Sequence, residues 1–159
     1  MKNNVSNIPS GMAIRNGKTV STSIRIKANP GRIWEMLMDF EKYPEWNPFI
    51  RTIEGDVATG KRIKVFICPP GEKGMVFKPE ILKVDKCKEF RWLGSLFVPY
   101  IFDGEHGFSL IDNGDGTTTF YQFERFRGIL VPFLSAMLDG STVQGFEAMN
   151  LALKQRAEQ

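Results

Sequence analysis

The sequence predicts an α+β protein in which an antiparallel sheet of about six to seven strands packs with a long C-terminal helix, and two short helices follow the first strand. Three observations predict it. Period-two alternation begins at Thr19 and returns in several short runs. These runs are separated by turn-forming residues rather than helical stretches, which favours antiparallel meanders over βαβ units. The C-terminal part of the chain, from Leu130 onward, then reverts to a helical period.

Each element has its own justification. In "TVSTSIRIKA", Val20, Thr22, Ile24 and Ile26 share one side of a half-buried strand. "NPGRIWEMLMDF" changes period and places Ile33, Trp34, Leu37 and Met38 on one helical stripe. Asn29 is a good N-cap for that helix, since its side-chain oxygen can accept from a first-turn N–H, and Pro30 suits the first helical position. The prolines of "EKYPEWNPF" bias the residues before them away from the helical region, so a short helix and a turn are expected there.

Strand-like runs follow at about Phe49 to Glu54, Lys61 to Ile67, Met75 to Asp85 and Glu89 to Leu93, divided by "GDVATG", "PPGEKG" and "KCK". Two longer runs, "YIFDGEHGFSLI" and "TTTFYQFERFRG", are joined by "DNGDG", a strong hairpin signal because Asn, Asp and Gly tolerate positive φ. Leu130, Leu134, Met137, Leu138, Phe146, Met149 and Leu153 then mark a helix of about 24 residues, well above the usual length. Gly140 and Gly145 lie in its middle, each at a cost of about 1 kcal/mol against Ala, which points to an irregularity or to room left beside the helix.

A chain of 159 residues suffices for one domain with a real core and is short for two. Residues 1–18 are polar and aperiodic and read as a flexible arm, with the single domain spanning 19–159. The 21 basic and 18 acidic residues are scattered, which speaks against a nucleic-acid-binding stripe. Cys68 and Cys87 follow no CxxC pattern and have no neighbouring His, so no metal site is expected and both read as reduced thiols. No phosphate loop, dinucleotide fingerprint or nucleophile elbow appears, and no cofactor is expected. The N-terminus lacks the apolar stretch of a signal peptide and no apolar run reaches 18 residues, so a cytoplasmic protein without stable membrane insertion is expected. Oligomeric state leaves no signature in the sequence.

The only histidine, His106, lies in "FDGEHGFSL" on the same parity as Phe102, Gly104, Phe108 and Leu110, so it is expected to point inward, with Glu105 pointing out. In the following run Phe120, Gln122, Glu124 and Phe126 share the expected inner face, because Arg125 and Arg127 occupy the other one. Tyr121 and Phe123 are then expected as partly exposed aromatics. Phe90 and Trp92 should share an inward face opposite Arg91. Apolar walls with a few convergent polar groups are the usual makeup of a small-molecule pocket.

The quoted segments carry a family likeness. "ANPGRIWEMLMDFEKYPEWNPFI", "FRWLG", "FDGEHGFSL", "DGTTTFYQFERFRG" and "GFEAMNLALKQRAE" resemble the START-like or SRPBCC superfamily, also known as the polyketide cyclase/dehydrase and lipid transport group. The resemblance implies a helix-grip (START/Bet v 1-like) fold, whose sheet wraps the C-terminal helix and leaves an elongated cavity for a hydrophobic small molecule. His106, Gln122 and Glu124 then form an inward polar group among Phe90, Phe108, Phe120 and Phe126. Met137 and Phe146 are expected to complete the wall, while Trp46 and Trp92 suit either a core or a ligand-stacking role. His106 reads as a structural hydrogen-bonding residue, a polar ligand contact or, with Glu124, an acid–base pair. The expected function is a binding, carrier or sensor protein for a lipid, polyketide or aromatic compound. The alternatives are a cyclase-like enzyme using His106 and Glu124, or a protein-interaction module presenting Tyr121 and Phe123.

Overall fold

A computed structural model describes residues 17–96 and 98–159. Residues 1–16, most of the expected arm, lie outside the described part. Strand β1 (Gly17–Ile26) begins two residues before the expected domain boundary. Helices α1 (Pro30–Met38) and α2 (Tyr43–Trp46) follow, with a 3-10 turn at Phe40–Lys42 between them. Next come β2 (Ile50–Glu54), β3 (Lys64–Ile67), β4 (Met75–Phe77), β5 (Glu80–Asp85), β6 (Glu89–Leu96), β7 (Phe102–Asp112) and β8 (Thr118–Arg127). Helices α3 (Val131–Met137) and α4 (Val143–Ala157) close the chain and are joined by a π-helical segment, Leu138–Thr142.

The strands form two antiparallel sheets, β1-β8-β7-β6-β5 and β2-β3-β4. The expected single run from Met75 to Asp85 is broken at Lys78-Pro79, where proline has no N–H to give to a ladder. An isolated bridge between Arg62 and Glu80 links the two sheets beside this break. The β7–β8 hairpin turns where Gly114 and Gly116 take φ of 75° and 82°, and Asn113 N–H donates to the Thr117 carbonyl at 3.0 Å.

Local chemistry sets the helices. Asn29 caps α1 by accepting from the Arg32 N–H at 2.9 Å, and Ile33, Trp34 and Leu37 bury the stripe. The Tyr-Pro-Glu-Trp-Asn-Pro stretch anchors a corner. The Tyr43 hydroxyl donates to the Leu37 carbonyl at 2.9 Å, and burial pushes its phenol pKa well above the usual range. The buried Asn47 carboxamide accepts from the N–H groups of Phe49 and Ile50 at 3.0 and 2.9 Å, which fixes the entry into β2 and the direction of Phe49.

The C-terminal helix lies against the concave face of the large sheet. Phe146 packs edge-on to Phe49 and His106, with ring centroids 5.4 and 5.3 Å apart, while Met149 and Leu153 are fully buried. The two central glycines sit in different surroundings. Gly140 sits in the π-helical segment, and a side chain at Gly145 would strike the ring of Phe49.

The outer face of the sheet bears out one expectation and corrects another. Glu105 does point away from the helix, yet it is only 6% exposed, because Arg91, Arg125 and Arg127 close over it at 2.9, 3.2 and 3.4 Å. Phe123, expected as partly exposed, is buried: Gly107 leaves the space its ring fills, and the Arg125 guanidinium covers it at 4.6 Å. Tyr121 is half-buried beside it.

Candidate functional site

Strand register assembles the polar group that parity anticipates. His106 stands directly opposite Glu124 on β8 and Trp92 on β6, while Gln122 faces Phe108 one pair further in. Glu124 Oε2 lies 3.4 Å from His106 Nδ1, and the Gln122 amide nitrogen lies 3.3 Å from His106 Nε2. The Gln122 amide oxygen is buried without a hydrogen-bond partner among the described residues. The Gln122 amide nitrogen also reaches the Met149 sulfur at 3.5 Å, which ties the group to α4.

A cavity of about 150 Å³ opens beside this group, between the large sheet, the β3–β4 loop and the helical segment around Leu138. Its floor on the sheet runs over two cross-strand pairs, Gly94 with Gly104 and Leu96 with Phe102. Phe126 and Trp92 flank the floor, Phe49 just before β2 and Met75 on β4 face it, and Leu138 and Thr142 come from the π-helical segment. Pro69, Glu72 and Lys73 form the loop side of the rim. Glu124 is the ionisable group of the interior, with its side chain 14% exposed, whereas Glu72 and Lys73 are exposed at the mouth.

The structure divides the expected site residues. Trp92, Glu124, Phe126 and Met137 line the cavity, Met137 at its solvent edge. His106 points inward as expected but is 1% exposed and does not line it, because Trp92 stacks over the imidazole. Phe90, Phe108 and Phe120 lie deeper in the core, Gln122 is buried within the polar group, and Phe146 is buried behind it. Trp46 is placed elsewhere: α2 turns it against Tyr43, at 5.1 Å, into a polar surface groove beside Arg32 and Lys42. The parity of Trp92, extended along β6, could have found Gly94 and Leu96, since both share its face. Nothing in the local pattern signals Phe49, Met75 or Leu138, which reach the cavity from distant parts of the chain.

The arrangement is an apolar slot with one carboxylate at its inner end and a histidine behind that carboxylate. No group of three or more His, Cys, Asp or Glu side chains suited to a metal occurs among the described residues. No helix among them is long and apolar enough to cross a membrane.

The sequence profile of the polyketide cyclase / dehydrase and lipid transport family matches residues 18–158. No curated protein matches the chain by direct sequence comparison. Among solved structures, a START superfamily protein from Mycobacterium smegmatis is 22% identical, with 88% of this chain and 97% of that chain covered at a TM-score of 0.67. The Zhui aromatase/cyclase from Streptomyces sp. R1128 is 14% identical, with 90% and 94% covered at 0.73. Norcoclaurine synthase from Thalictrum flavum, solved with dopamine and hydroxybenzaldehyde, is 16% identical, with 95% of each chain covered at 0.66. These structural likenesses establish the helix-grip fold.

Proposed function

The chain belongs to the polyketide cyclase / dehydrase and lipid transport family, and from that premise we propose that it is a binding protein, a carrier or sensor, for a hydrophobic small molecule held between the sheet and the C-terminal helix. The observation that carries this is the cavity: apolar walls, a single interior carboxylate at Glu124 and a volume of about 150 Å³. A dry apolar space of that size takes up one benzene-sized group. The enclosed part of the ligand is therefore a single ring or a short branched chain, and any remainder lies toward the mouth between Lys73 and Met137. Trp92, Phe126 and Phe49 supply the apolar contacts, and Glu124 accepts from a polar group on the ligand. His106 acts from behind as the residue that orients Glu124. We place this activity in the cytoplasm. Native mass spectrometry of gently purified protein tests the reading: the expected result is a small-molecule adduct that disappears on denaturation. Protein that arrives empty and takes up no small aromatic compound at millimolar concentration refutes it.

A cyclase-like reading draws on one further arrangement, the carboxylate backed by a histidine. Glu124 would move a proton at a carbon beside a ligand carbonyl, and His106 would hold the carboxylate in place through Nδ1–H. Once a substrate is in hand, Glu124→Gln should abolish turnover while His106→Asn only slows it. Unchanged turnover in Glu124→Gln ends the catalytic reading and leaves the binding one standing.

A further inference from the structure

We infer that the cavity selects a flat ring bearing a cation, an arylalkylamine, with its ring over Gly94 and its ammonium donating to Glu124, whose carboxylate lies over Gly104. The inference rests on the reading that this cavity binds a small molecule, and it names the class of ligand.

The first argument is an imbalance of charge. Glu105, on the outer face, is enclosed by three arginines. Glu124, on the inner face, has one ion-pair partner among the described residues, His106, at 3.4 Å. That distance is well beyond the roughly 2.7–2.9 Å of a charge-assisted hydrogen bond. The carboxylate is held among Trp92, Phe126 and Gly104 with no Lys or Arg side chain within ion-pairing distance among the described residues. A carboxylate held in such surroundings is favourable when a cation joins it. A ligand carboxylate, the polar end of a fatty acid, would instead meet a like charge.

The second argument is the shape of the floor. Gly94 and Gly104 face each other across β6 and β7, between the Trp92–His106 and Leu96–Phe102 pairs; at Gly94 the inner surface is bare backbone, while the Glu124 carboxylate fills the space over Gly104. A pleated backbone without side chains is a flat surface, and a planar ring lies against it more closely than a branched or puckered one. Gly104 also makes the carboxylate's position possible: a Cβ there would stand 2.5 Å from Glu124 Oε1. The open floor at Gly94 and the acceptor over Gly104 are therefore direct cross-strand neighbours.

Benzylamine, toluene and benzoate share one ring and differ in charge, and titrating each into the full-length protein by calorimetry tests the inference. Benzylamine is expected to bind at least about tenfold more tightly than toluene, with benzoate the weakest. In Glu124→Gln, benzylamine should fall to within about threefold of toluene. Toluene binding as tightly as benzylamine to the unaltered protein would overturn the inference and leave the cavity reading intact, and this comparison needs no variant to fold. If none of the three binds, the cavity reading fails and the inference fails with it.

Discussion

The indole of Trp92 lies flat on the imidazole of His106, with ring centroids 4.7 Å apart and planes 12° from parallel. The pairing follows from register, since the two residues are direct cross-strand neighbours on the inner face. It closes the protein's only histidine off from the cavity and leaves Glu124 as the ionisable side chain that lines its interior. Trp92→Ala should therefore do two things. It should cost about 3–5 kcal/mol in denaturant unfolding, as removal of a buried indole does, and it should expose His106 to a histidine-selective acylating reagent that leaves the unaltered protein untouched. Equal acylation of the two proteins would show that the stack does not shield the ring.

Gly94 offers a way to fill the cavity without disturbing the fold. A Cβ there would meet only the Pro79 Cβ, at an ordinary 3.6 Å, so Gly94→Val should change stability by no more than about 1 kcal/mol, since valine also suits a strand. Its methyl groups would occupy the floor, and binding of any ring-sized ligand should weaken by about tenfold or more. Thermal melting and calorimetric titration of the same preparation separate the two effects. Binding that survives the substitution would mean the ligand does not lie on β6.

The two glycines of the C-terminal helix should respond oppositely to alanine. At Gly145 the new methyl meets the Phe49 ring, which Asn47 and Phe146 hold in place, so Gly145→Ala should destabilise by about 1–3 kcal/mol. At Gly140 nothing lies within 4 Å of the added carbon, and Gly140→Ala should stabilise by up to about 1 kcal/mol. Urea midpoints for the pair decide the matter. Destabilisation at Gly140 would mean the π-helical segment needs a residue without a side chain for reasons beyond space.

Acid should loosen the C-terminal clasp. Glu158 accepts from the Lys154 ammonium at 2.8 Å and from the Lys27 N–H at 2.7 Å, and these bonds, that of Lys154 foremost, hold its carboxyl pKa below the usual value. Lys42 and Thr117 act in the same direction on Glu45 and Asp115. A folded-state pKa below the unfolded one gives stability that is complete above the unfolded value and is lost as pH falls through the folded one. Urea midpoints should thus decline between about pH 5 and about pH 3, and Glu158→Gln should decline less steeply over that window. Parallel curves for the two proteins would show that the clasp contributes nothing to folding.

Strand parity, turn chemistry and helical period determined much of this protein unaided. The order of elements, the cap at Asn29, the hairpin at Gly114 and Gly116, the break in helical regularity at Gly140 and the inward direction of His106, Gln122 and Glu124 all follow from residues within a few positions of one another. Such short-range rules state which face of a strand a side chain takes and are silent on what covers it. Glu105 and Phe123 take the outer face as parity requires, yet arginines from β6 and β8 bury them. His106 takes the inner face, yet Trp92 covers it, and Trp46 is carried away from the cavity by the turn of α2. The cavity itself belongs to no element. It is the gap that remains where the Gly94–Gly104 floor, the β3–β4 loop and the π-helical segment fail to touch, and only the packing of residues far apart in the chain sets that distance.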